Sequence, residues 1–181
     1  SVLSAQNIIY ISSAGNQAGA GYGNGHYQGL YYNNGYDYHD FSSGNSTTDK
    51  NIYLNIPNNG NVIVILQWND NFGSSSNDYD LIMDKTDGSG TLDYSNQIQD
   101  GDDDPFEGLS YRNTTGNDII AQIWINNYNG LAATKTLELF IYQDNDTWLF
   151  NNNLTPIDSI FGHPAVPGVI SVGAINANDM G

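Results

Sequence analysis

Cysteine is absent from the 181-residue chain, and that absence removes disulfides, thiolate catalysis and thiolate zinc sites together. Basic residues are almost as scarce: Lys and Arg number 4 against 20 Asp and Glu, a formal net charge of −16. Nucleic-acid affinity rests on Lys and Arg neutralising phosphates, so a phosphate-binding surface is excluded, as is attraction to an anionic membrane. No apolar run is long enough to span a bilayer. The opening Ser1-Val2-Leu3-Ser4 lacks the basic start and apolar stretch of a signal peptide. No segment carries convincing helical periodicity; only 158–161 hints at a short helix.

What the chain does have is an apolar share of 39%, enough for a core, and an abundance of Asn, Gly, Ser, Thr and Tyr. That composition looks like exported β-proteins and predicts a secreted or cell-surface location. Strand-like alternation runs through 51–57 and 61–68, divided by the turn sequence Pro57-Asn58-Asn59-Gly60. Further strand candidates lie at 79–83, 108–111, 119–125 and 136–142, separated by Asn, Asp and Gly clusters. The pattern predicts an antiparallel β-sandwich or jelly roll. Within 27–41 aromatic residues alternate with polar ones, which suits sandwich packing better than a sugar-stacking platform.

Two segments have a different character. Asn7-Ile8-Ile9-Tyr10-Ile11-Ser12-Ser13 and Gly168-Val169-Ile170-Ser171-Val172-Gly173-Ala174-Ile175 are short continuous apolar runs, the style of strands in a parallel sheet. The rival reading makes each an ordinary sandwich strand. The first run continues into Ala14-Gly15-Asn16-Gln17-Ala18, and Pro164-Ala165-Val166-Pro167 leads into the second. Together these resemble two motifs of the subtilisin-like serine proteases, which normally lie close together in sequence. The resemblance implies a mainly β chain: an antiparallel sandwich, 22–153, inserted between two strands of a subtilisin-like α/β core, the core fragments being 1–21 and 154–181.

By the same resemblance Asn16 is the oxyanion-hole donor. Its side-chain amide supplies N–H groups without a charge to desolvate, and Gly15 allows the sharp turn before it. The family's catalytic Asp, His and Ser motifs do not occur here. They are expected before Ser1 and after Gly181, in a longer parent protein. Gly162-His163 stands where the family has an aromatic residue, and His163 reads as a loop residue. The chain alone is therefore expected not to cleave peptides, whereas the parent would take a polypeptide substrate.

Leu66-Gln67-Trp68-Asn69-Asp70, Asn77-Asp78-Tyr79-Asp80-Leu81 and Asp104-Pro105-Phe106-Glu107 resemble the pre-peptidase C-terminal type of β-sandwich, over about residues 45–143. Asp78 and Asp80, two apart on a strand, present both carboxylates on one face. A calcium ion joining them, with oxygens from Asp70, Asn69 or the loop 100–104, is the cofactor expectation. Asp37, His39 and Asp40 are too sparse for a usual zinc pattern, and His26 carries no motif. The expected function is gating, or the binding of substrate or a surface, within a secreted endopeptidase. The alternative is a carbohydrate- or cell-surface-binding module with no link to proteolysis.

Overall fold

The computed structural model describes residues 9–15, 24–33, 36–42, 49–144, 148–149, 153–155, 159–160 and 168–173. The chain divides into two compact units, one built from 1–16 with 158–181 and the other from 17–157. Among the described residues there are eleven β-strands and a single 3₁₀ turn, Tyr128–Gly130, but no α-helix. Ser159 and Ile160 carry no regular structure; the rest of the hinted helix lies outside the described residues.

The larger unit is an antiparallel β-sandwich. One sheet has five strands in the order β10-β3-β8-β5-β6, the other four in the order β2-β9-β4-β7. Their ranges are β2 Gly25–Leu30, β3 Ile52–Ile56, β4 Asn61–Trp68, β5 Tyr79–Lys85, β6 Thr91–Ser95, β7 Phe106–Arg112, β8 Ile119–Asn127, β9 Thr136–Gln143 and β10 Trp148–Leu149. A strand sends alternate side chains to opposite faces, so an alternating sequence buries one set and leaves the other in water. Ile52, Leu54 and Ile56 of β3 follow this rule, as do Val62, Val64, Leu66 and Trp68 of β4 and Ile119, Ala121, Ile123 and Ile125 of β8. Leu137, Leu139 and Ile141 of β9 complete the same core.

From β3 to β10, β5–β6 is a hairpin and every other link passes from one sandwich sheet to the other. The turn after β3 is one such link: Gly60 N–H donates to Pro57 O at 2.8 Å, and Asn59 takes φ 67°. Asn tolerates that left-handed conformation better than most residues. Asn113, 0% exposed, fastens the neighbouring loop. Its amide donates to Ile56 O and Asn117 O, both at 2.8 Å, and accepts from Thr115 N–H and Oγ at 3.1 and 2.8 Å.

Within the aromatic stretch 27–41, Tyr27, Tyr31 and Phe41 are core, whereas Tyr32 and Tyr36 are exposed. Tyr27, Tyr31, His39, Phe41, Tyr79 and Trp68 form a chain of ring contacts with centroids 4.7 to 5.7 Å apart. Residues 37–39 run along the end of β8, where His39 N–H donates to Ile125 O at 2.8 Å and Asn127 N–H to Asp37 O at 2.7 Å.

In the smaller unit, β1 (Tyr10–Ser13) pairs in parallel with β11 (Val169–Val172), Tyr10 opposite Val169 and Ser13 opposite Val172. The Ala14 N–H extends this ladder to Val172 O at 2.9 Å. Neither strand joins a sheet of the sandwich.

Candidate functional site

The segment that would carry the oxyanion donor follows β1 directly. Gly15, at φ 85°, adopts the left-handed conformation that glycine accepts without strain. Asn16 itself lies outside the described residues, as do 161–167, which include His163.

The acidic residues fall into groups with different surroundings. Asp70 is fully engaged. Its carboxylate pairs with Lys135 Nζ at 2.5 Å and accepts from Ser75 Oγ at 3.0 Å and Asn77 Nδ2 at 2.7 Å. Burial pushes its carboxyl up, but Lys135, Asn77 and Ser75 outweigh that and hold it below the usual range. This is the sole ion pair among the described residues.

Among the described residues, none of the cations pairs with Asp78 or Asp80. Asp80 is 9% exposed on β5, and none of the hydrogen bonds among the described residues ends on its carboxylate. Burial, then the neighbouring charges of Asp78 and Glu107, push its carboxyl up to about 6. Asp78 is raised by burial and by Asp103, against a lowering from the Gln99 backbone N–H, and its Oδ1 is buried without a partner. Glu107, fully buried at the start of β7, is a structural contrast to both. It accepts from Ser95 Oγ, from Gln97 N–H at 3.0 Å and from Gln99 Nε2 at 2.8 Å. Even so, burial leaves its carboxyl raised. Sequence reading quoted Glu107 within a motif but gave it no role; the signal for one was a carboxylate at an inward position of an alternating strand. Asp103 also belongs to a group with Asp100 and Asp102 whose carboxylate oxygens lie within 4.8 Å of one another, Asp100 and Asp102 being exposed.

His39 is not a metal ligand. Tyr32 N–H donates to its Nδ1 at 3.1 Å, so Nε2 carries the hydrogen and donates to Tyr27 Oη at 2.7 Å. Burial lowers its pKa to about 4, more than the Asp40 charge raises it. Asp40 caps a turn, accepting from Ser42 N–H and Oγ at 2.9 and 2.6 Å and from Asp49 N–H at 3.1 Å. Asp37 exchanges hydrogen bonds with Asn33 at 3.0 and 3.2 Å. His26, 0% exposed, donates from Nδ1 to Thr155 O at 3.1 Å.

The outer face of the five-stranded sheet carries a second feature. Tyr36, Tyr38, Lys50 and Trp124 line an open cleft of about 320 Å³. Tyr38 and Trp124 meet at 5.4 Å and 60°, and the Lys50 ammonium stands 5.1 Å from the Tyr36 ring centre. The rings form a notch, not a flat platform. No protein-family model matches this sequence, and no curated protein gives a significant match to it.

Proposed function

We propose that the sandwich is an accessory module carried inside a secreted subtilisin-like serine endopeptidase, where it restricts or anchors the polypeptide substrate. The observation that carries this reading is the parallel pairing of β1 with β11 across a separate compact unit of intervening chain. Parallel pairing needs a crossover connection, and here the crossover contains a whole domain. The glycine turn after β1 and the two family-like motifs at the flanks, in the family's order, support the same reading.

On this reading Asn16 donates its side-chain amide to the oxyanion of the tetrahedral intermediate. The nucleophile, base and orienting carboxylate come from other segments of the parent protein. The module leaves the scaffold just after Asn16, and loops beside an active site are where substrate access is decided.

The test is to restore the triad-bearing segments around the chain, with and without residues 22–153. Excision should raise kcat/KM on a folded protein substrate by about tenfold or more and leave a short peptide unchanged. Equal selectivity with and without the module would end the gating claim. In the same enzyme Asn16→Ala should lower kcat by about 10²–10³-fold, the range known for this donor in subtilisin itself, with KM little changed. An unaltered kcat would remove Asn16 from the chemistry.

The aromatic cleft favours a second reading, a carbohydrate-binding module, since sugar faces stack on Tyr and Trp rings. Calorimetric titration with neutral oligosaccharides would support it if Trp124→Ala abolished a measurable binding heat. No heat with the intact chain would discard it.

A further inference from the structure

Asp70 holds an amine and a carboxamide at the same time. Its Oδ1 pairs with Lys135 Nζ at 2.5 Å, and its Oδ2 accepts from Asn77 Nδ2 at 2.7 Å. The two groups therefore sit on the two oxygens of one carboxylate. The far side of the carboxamide is fixed as well. Asn77 Oδ1 accepts from the Ala133 N–H at 2.7 Å, which settles which end of the amide is oxygen. Tyr79 Oη donates to Ala133 O and holds that loop in place.

The core orients the carboxylate. Trp68 Nε1 donates to Ser75 Oγ at 3.1 Å, and Ser75 Oγ donates to Asp70 Oδ2 at 3.0 Å. Trp68, Ser75 and Tyr79 are buried, and the side chains of Asp70 and Lys135 are 9% and 24% exposed. A nucleophile, a proton carrier and a backbone donor at the acyl oxygen are the parts of an acyl transfer.

We propose that Lys135 and Asn77 condense into an amide bond within the chain, with Asp70 carrying the protons. A proton first passes from Lys135 Nζ to Asp70 across their contact and leaves a neutral amine. Nζ then bonds to Asn77 Cγ, and the carbonyl electron pair moves onto Oδ1, where the Ala133 N–H stabilises it. Asp70 gives its proton to Nδ2. The pair on Oδ1 re-forms the carbonyl, the Cγ–Nδ2 bond breaks and ammonia leaves. The surplus proton on Nζ passes through Asp70 to the ammonia, which departs as ammonium. One ammonium and one carboxamide thus become one secondary amide and one ammonium ion, with no oxidant or co-reactant. The resting ion pair makes the first transfer uphill. The reaction needs to occur once per molecule, and holding both groups on one carboxylate supplies the high effective concentration that a slow step requires.

The bond joins Asn77, just before β5, to Lys135, just before β9. Those strands belong to different sheets, so the bond ties the sandwich together in a chain without cysteine. Closing so long a loop restricts the unfolded chain, as a disulfide does. The inference stands whether or not the protease reading does.

The experiment is mass spectrometry of the whole purified chain, followed by trypsin digestion after denaturation. The intact mass should fall below the sequence mass by one ammonia. Trypsin has four sites, Lys50, Lys85, Arg112 and Lys135, and an acylated Lys135 is not cut. Peptide 51–85 should therefore appear joined to 113–181. Lys135→Arg keeps the ion pair, and Asn77→Ala removes the acyl group; each should restore the full mass and separate the peptides. Asp70→Asn should do the same, and the wild-type mass decides even if that variant does not fold. The proposal is overturned by a wild type of full mass that is cut after Lys135. Loss of ammonia with that cut intact, as a succinimide elsewhere would give, overturns it too. So does loss of one water instead, which would place the bond between Lys135 and Asp70.

Discussion

The two compact units meet the same solvent in opposite ways. In the sandwich, Leu54, Leu81, Ile123 and Leu139 are wholly buried, each sheet covering the other. In the parallel pair, Ile11, Ile170 and Val172 are all at least half exposed. Parallel strands are normally covered on both faces, and an isolated two-stranded ladder is marginal in water. The difference teaches which unit is self-sufficient. The sandwich closes its core with its own residues. Under the proposed reading, the exposed apolar faces of β1 and β11 are ones that further parts of a larger parallel sheet would cover.

Substitutions sharpen that contrast. Leu81→Ala should cost about 2–5 kcal/mol in urea denaturation, because it opens a cavity where both sheets meet. A cost below 1 kcal/mol would mean the core is not close-packed there. The next effect is set by pH. His39 titrates near 4 when folded and near 6.5 when unfolded, so the unfolded chain binds its proton first. Stability from this group is full above pH about 6.5, is lost as pH falls to about 4, and amounts to at most about 3 kcal/mol. Asp80, raised to about 6, pulls the other way, since the folded state holds its proton more tightly over the same range. The check is thus the difference between wild type and His39→Gln in denaturation midpoints at pH 7 and pH 5. A difference that does not change with pH would contradict a neutral, buried His39.

Asn113→Ala should cost about 1–3 kcal/mol, as it strands the Ile56 and Asn117 carbonyls beside the 57–60 turn. Chemical denaturation measures it, and a neutral result would show that water replaces the amide. The smallest effect belongs to the other unit. Ile170→Ala in the 181-residue chain should change the stability of the main transition by under about 0.5 kcal/mol. A loss as large as that of Leu81→Ala would erase the distinction between the units.

Much of the sandwich was legible because β3, β4 and β8 alternate cleanly. β6 was not: in Thr91-Leu92-Asp93-Tyr94-Ser95 the buried position is the polar Ser95 and Tyr94 is exposed, so residue polarity does not report burial there. The start of β7 misled in the opposite direction. Phe106 faces outward and Glu107 inward, because Ser95, Gln97 and Gln99 satisfy the carboxylate. Asp78 and Asp80 were visible as a pair from their spacing. Gln99, the buried partner of Glu107, was not, since it carries no motif. Asp70 attracted attention for its charge, yet Lys135, 65 positions further along the chain (135 − 70), engages it.

The central claim is that the middle of the chain is a domain complete in itself, departing from and returning to a separate parallel ladder. Residues 17–157 expressed alone, followed by calorimetry and amide hydrogen exchange beside the full chain, test it most directly. The account predicts one cooperative transition within about 2 °C of the full chain and unchanged protection at Leu54, Leu81 and Ile123. An unfolded fragment, or a melting temperature lower by about 10 °C or more, would contradict it.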